Sequence, residues 1–293
     1  MVGAQSRFRF PKNFPPSPFP FPVSEPEEFS NAPVPADALP AGREKPMGFW
    51  GHLEELRWTL VKCAVVFTVF AVAIGFFLTE FNQFLMWPFY KVTAEYPGLV
   101  VDLGTNTLME GFNMIIQMCV LGGLTCSAPF MLFFIGQFVA PALSEKELKA
   151  VLPMCLSAFV LFITGAVFAF ILLVPATVRM AIEINKGFGL AFRWTVGSYY
   201  SVLSWLTLGV GAAFEFPLVI VLLVWMGIVS TAFLRKYRRH AFVVIFIIAA
   251  IITPTPDPIT QTMFAVPLYA LYEIAILVSA RVERNRTSKA RFG

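Results

Sequence analysis

The chain has 293 residues, of which 57% are hydrophobic, 15% aromatic and only 14% charged, against about 25% charged in an ordinary soluble domain. That balance excludes a typical water-soluble enzyme, because so much apolar surface cannot be hidden inside one aqueous globule, and apolar runs of about 20 residues recur as they do in a polytopic membrane protein. The net charge of +4 does not point to nucleic acid, since the basic residues lie between apolar runs rather than on one soluble face.

Residues 1–46 carry 11 of the 22 prolines and show no helical or strand period, which reads as a disordered cytoplasmic tail. The stretch lacks a continuous apolar core followed by a small-residue cleavage site, and Glu25, Glu27 and Glu28 argue against a transit peptide. A membrane domain is expected over 47–283, with a basic tail at 284–293.

Within that domain, apolar spans fall at 58–78, 110–139, 151–174, 199–226, 241–252 and 262–280. The expected fold class is therefore an all-α membrane protein with six transmembrane helices. The 12 residues from Ala241 to Ile252 rise only about 18 Å as a helix, against a hydrocarbon core of about 30 Å. Helices 5 and 6 are thus expected to be short and to form a hairpin, with a re-entrant hairpin as the alternative.

Orientation follows from the loops. Arg43, Lys45, Arg57 and Lys62 flank span 1; Lys146 and Lys149 precede span 3; Arg235, Lys236, Arg238 and Arg239 precede span 5; five more Lys or Arg follow Ala280. The opposite loops carry only Lys91, Arg179, Lys186 and Arg193. Both termini are expected on the cytoplasmic side, and an even number of spans agrees with that. Trp50, Trp58, Trp87, Trp194 and Tyr199 stand near span ends, where interfacial aromatics belong.

Polar residues inside the spans are the most informative. Glu215 lies mid-span in LGVGAAFEFPLVIVLLVW, where an ionisable group costs about 2.5 to 3.5 kcal/mol on insertion scales and so requires a partner, water or a polar neighbour. A protonated Glu bonded to an adjacent helix is the structural alternative to a contact with another membrane protein or a transported species. Pro217 removes one backbone bond nearby and can open the helix. Glu273, in PLYALYEIAIL, lies nearer the cytoplasmic end, within reach of water or a basic residue of the tail. Asp257, in the turn TPTPDPITQ, reads first as a helix cap.

Two acidic positions fall at the cytoplasmic face. Glu54 and Glu55 open span 1 within HLEELR, where carboxylates gain modestly from the helix dipole. Ser144 to Glu147 matches a capping box for span 3, and Thr107 to Glu110 repeats the pattern ahead of span 2. Catalysis has no evident home. The sequence holds no GxxxxGK[ST] loop and no HExxH, and His52 and His240 both sit at the cytoplasmic boundary. Cys63, Cys119, Cys126 and Cys155 all lie in apolar stretches without a CxxC pair, and read as reduced packing residues with no metal or cofactor.

Taken together, HLEELR before span 1, SAPF and FVAPAL in and after span 2, FEFP in span 4, TPTPDPITQ, and PLYALYEI in span 6 resemble the TatC family over about residues 47 to 285. The resemblance implies a six-helix, cup-like receptor in the bacterial inner membrane. In that family the receptor binds the twin-arginine signal peptides of folded cargo, assembles with TatA-like and TatB-like single-span proteins in an oligomeric complex, and is driven by the protonmotive force. It implies that Glu55 and Glu147 hold the paired arginines and that Glu215 meets a polar residue of a partner helix. Arg57 and Phe138 match further signal-peptide positions. Pro88, Pro129, Asp257, Gln261 and Glu273 match positions of structural or functional weight. The match is imperfect: Thr59 stands where a second basic residue often follows the HLxELR motif, Phe133 to Gly136 replace a Tyr-Gln-x-Trp stretch, and TPTPDP is one residue longer than the usual turn. The competing reading is a proton-coupled solute transporter using Glu215 and Glu273, although no similarity between halves supports an inverted repeat.

Overall fold

A computed structural model describes residues 49–97, 103–139, 145–190, 194–254 and 257–291, with side chains for these residues other than 49, 139, 145–150 and 285–291. The Pro-rich stretch expected at 1–46 lies outside the described residues. From Phe49 onward the chain is almost entirely helical. In order come α1 (Phe49–Phe76), α2 (Leu78–Thr93), α3 (Leu108–Val139), α4 (Glu145–Phe168), α5 (Val174–Gly187), α6 (Val196–Ala213), α7 (Phe216–Trp225), α8 (Thr231–Lys236), α9 (Arg238–Ile252) and α10 (Pro258–Arg291). The all-helical expectation needs one small amendment: β1 (Leu103–Gly104) pairs in parallel with β2 (Trp194–Thr195).

Among the described residues, five helical runs are long and apolar enough to cross a membrane: Trp50–Phe76, Leu108–Phe138, Val151–Gly187, Val196–Trp225 and Pro258–Arg284. Two of them are composite. The third is α4 joined to α5 through a π-helical turn at Ala169–Leu173, directly ahead of Pro175, which has no N–H for the carbonyl four residues back. The fourth joins α6 to α7 through Phe214 and Glu215, and Pro217 acts there in the same way. The 15 residues of α9 rise about 22 Å, in keeping with a short fifth span. Helix 6 is not short, contrary to expectation. α10 runs from Pro258 to Arg291 because the residues after Ala280 include no Gly or Pro before Gly293 and are mostly good helix formers.

Packing centres on α3, which lies against α1, α4 and α6, while α10 packs on α7 and α9. Close approach depends on glycine. A Cβ added to Gly123 of α3 falls 2.9 Å from Cα of Ala71 on α1, and one added to Gly165 of α4 falls 2.7 Å from the Phe214 ring. Such contacts are the usual means of helix association where water supplies no drive.

The sequence reading placed no helix at 78–93, yet α2 is well formed there. Leu85, Met86, Phe89 and Val92 are buried on one of its faces, and the spacing of 85, 89 and 92 is that of an amphipathic helix. The Tyr199 hydroxyl donates to the Leu85 carbonyl at 2.7 Å, and the Tyr200 hydroxyl donates to the Asn82 side chain. Arg179 of α5 grips Glu95, just beyond α2, through two bonds of 2.6 and 2.7 Å. The expected start of span 2 is present too, with Glu110 accepting from the Asn106 N–H at 2.7 Å.

Candidate functional site

Two places bring the chemistry-bearing residues together. The first is the bundle end where α1 begins and α3 finishes. His52, Glu55 and Thr59 are three and four residues apart, so α1 turns all three toward one face. That face meets the last turn of α3: the His52 and Phe138 rings stack with centroids 4.4 Å apart and planes 17° from parallel. Glu55 is half-buried beneath them. Its Oε2 is shielded from solvent without a hydrogen-bond partner, and His52 Nδ1 is 3.9 Å away, too far for a hydrogen bond. The Thr59 hydroxyl donates 2.9 Å to the Glu55 backbone carbonyl and so leaves the carboxylate free of it.

α4 begins at Glu145, six residues beyond the end of α3 at Val139, so Glu147 in its first turn belongs to the same end of the bundle. The Glu147 side chain and the expected Ser144 cap lie outside the described residues. Arg57 is not brought to this face. Two residues along a helix rotate the side chain by about 200°, and Arg57 is exposed on another side of α1.

The second place is the break between α6 and α7. Glu215 occupies it with helical backbone angles (φ −76°, ψ −19°), and its carbonyl accepts from the Leu218 and Val219 N–H groups. Its side chain points into an apolar cavity of about 210 Å³ between α3, α4 and α7, lined among others by Leu132, Ile135, Met154, Cys155 and Leu218. Oε1 is buried there without a hydrogen-bond partner. An unsatisfied buried polar atom costs about 1–3 kcal/mol and more when charged, and among the described residues no donor meets this one.

The remaining expected residues are structurally engaged. Asp257 caps α10 by accepting from the Thr260 N–H at 2.7 Å. Gln261 donates to the Phe246 carbonyl at 2.9 Å and so ties α10 to α9. Glu273 pairs with Arg238 at 2.9 Å and accepts from the Tyr269 hydroxyl at 3.1 Å; its basic partner therefore comes from the start of α9 rather than from the tail. Pro88 lies buried inside α2 and Pro129 inside α3. His52 is the residue that sequence reasoning passed over. It stood in the HLEELR motif, but its pairing with Phe138 is non-local and has no local signal.

Comparison with known proteins gives one answer. The family model described as TatC, Sec-independent protein translocase protein, matches residues 51–267. A Sec-independent protein translocase protein TatC of Koribacter versatilis is 34% identical over 251 residues, covering 84% of this chain and 90% of the relative. One from Akkermansia muciniphila is 35% identical over 182 residues, covering 62% of this chain and only 52% of that relative's length. A crystal structure of a twin-arginine translocase receptor, TatC, superposes with a TM-score of 0.66 at 30% identity, covering 79% of this chain and 99% of the other.

Proposed function

The chain belongs to the TatC family, a multi-pass membrane component of Sec-independent protein translocation, and we propose that it is the receptor subunit for twin-arginine signal peptides. In this reading six helices cross the bacterial inner membrane, α9 being the short fifth, in a cup-like bundle with both termini cytoplasmic. The basic residues before α9 and along the end of α10 then lie on the same cytoplasmic side as the start of α1.

Glu55 carries the reading. It is a carboxylate held half-buried, with 29% of its side chain still exposed, at the bundle end where α4 and Glu147 begin. A guanidinium is permanently charged and offers paired N–H donors matched to carboxylate, so two carboxylates at one rim can read two consecutive arginines. Phe138 stacks on His52, one turn from Glu55 on the same face of α1. Arg57, on another face of α1, serves the docking of the peptide from outside that pocket. Glu215 is the contact for a polar residue on a TatA-like or TatB-like helix, with its unpartnered oxygen as the support. The complex is oligomeric, uses the protonmotive force, and carries out no bond-breaking reaction in this chain.

The solute-transporter alternative is not favoured. Its second proton carrier, Glu273, is held by Arg238 and Tyr269.

Photo-crosslinkers placed one at a time at the neighbouring positions 56 and 148, with both carboxylates kept, test the proposal in the full chain. Both should capture a twin-arginine peptide and lose it when the arginines become alanines. Capture that is indifferent to the arginines contradicts the assignment.

A further inference from the structure

We propose that His52, backed by Phe138, is a flat platform on which a cargo guanidinium lies while Glu55 bonds its edge, so that His52 sets the preference for arginine over lysine. The inference rests on the receptor reading and assigns a specificity-determining residue within it.

The geometry has three parts. The imidazole is stacked almost parallel on Phe138 at 4.4 Å, which covers one ring face and fixes the ring's orientation. The His52 side chain nevertheless keeps 50% of its surface and Glu55 keeps 29%, so the surface left to His52 is its other face and its rim. Finally, the carboxylate stands beside the ring rather than bonded to it: Oε2 lies 3.9 Å from Nδ1 and is turned inward from solvent, so the part of Glu55 that a cargo group meets is the 29% of the side chain left exposed. A planar face and a partly exposed carboxylate are thus neighbours on one side of α1.

Guanidinium suits such a pairing and ammonium does not. The guanidinium plane stacks on an aromatic face while its N–H edge meets a carboxylate in the same plane, whereas the lysine ammonium has no plane to stack and carries a tighter hydration shell. Two carboxylates alone attract either cation. An added aromatic surface is what discriminates between them, and it does so at the position where α1 and α3 meet. Phe138 acts through His52 by holding the ring in place, and is in that sense a positioning residue.

The test uses the full chain in detergent or nanodiscs and two synthetic signal peptides that differ only in Arg-Arg against Lys-Lys. His52→Ala should weaken the Arg-Arg peptide five- to tenfold and leave the Lys-Lys peptide unchanged, so that the ratio of the two affinities shrinks by that factor. His52→Phe, which restores a flat ring without a titratable nitrogen, should return the ratio to that of the parent. An unaltered ratio in His52→Ala, or a His52→Phe variant that behaves like His52→Ala, overturns the platform. The double variant Glu55→Gln with Glu147→Gln separates the two levels. If it abolishes Arg-Arg binding while the His52 variants leave the ratio unmoved, only the platform fails. If Arg-Arg binding survives it, the receptor site fails and the platform with it.

Discussion

Arg179 and Glu95 are 84 residues apart in sequence and meet as a two-pronged ion pair, with Nε and one terminal nitrogen each bonded to a separate carboxylate oxygen at 2.7 and 2.6 Å. The pair joins the middle of α5 to the turn after α2 and so helps to hold the amphipathic helix in place. The Arg179 hydrogen bond, followed by its charge and that of Lys91, holds the Glu95 carboxyl below its ordinary value despite partial desolvation.

The sign of its pH dependence follows from that direction. A carboxyl lowered in the folded state adds stability that is fully present above its unfolded value of about 4.3 and is lost as the pH falls through the lower folded one. Because the pair is exposed, the contribution is small and salt-sensitive. In detergent, the thermal midpoint of the parent chain should exceed that of Glu95→Gln slightly at pH 7, and the gap should close on acidification below about pH 4. A gap that widens in acid contradicts this.

If Glu215 meets a partner helix as proposed, it trades stability of the isolated chain for assembly. Replacing it by Leu removes an orphaned buried oxygen and should stabilise the isolated chain by about 1–3 kcal/mol, while co-purification with single-span partners is lost. Glu215→Gln keeps a hydrogen-bonding side chain and should retain most of that co-purification. Thermal unfolding in detergent and pull-down from membranes check the two halves independently.

Gly123 holds the α1 and α3 backbones together. A Cβ added there would fall 2.9 to 3.0 Å from the Cα, Cβ and N atoms of Ala71, and a backbone cannot swing aside as a long side chain can. Gly123→Ala should therefore destabilise the chain by about 1–3 kcal/mol through overpacking and separate His52 from Phe138. A cysteine pair across α1 and α3 should crosslink less efficiently in this variant.

The length of α9 yields a prediction about the membrane itself. A rise of about 22 Å against a core of about 30 Å favours local thinning of the bilayer on that side, at a fraction of a kcal/mol per ångström of mismatch. Inserting four apolar residues into α9, with folding verified by thermal unfolding, should slow export of folded cargo. Unchanged export shows that thinning plays no part.

Much of this architecture was legible because long apolar runs and turn residues are local signals. α3 begins at Leu108 where Thr107 to Glu110 announced a start, and Asp257 caps α10 as its place in TPTPDPITQ indicated. The α6–α7 break was foreseeable from Pro217. What was not legible was non-local or masked by composition. α2 escaped notice because Glu80, Asn82, Gln83 and Lys91 dilute its apolar content, although Leu85, Phe89 and Val92 keep the helical period. The Arg179–Glu95 and Arg238–Glu273 pairs join distant segments, and nothing near either residue in sequence points to its partner. At the rim, the motif drew attention to Glu55 and Arg57, yet only helical geometry shows that these two face different ways and that His52 is the true neighbour of the carboxylate.

The most direct test of the central claim is the affinity of the full chain for a twin-arginine peptide before and after Glu55→Gln with Glu147→Gln. Two charge-assisted contacts of about 1.5–3 kcal/mol each predict a loss of at least about a hundredfold, with the thermal midpoint little changed. Binding within threefold of the parent chain would contradict the account.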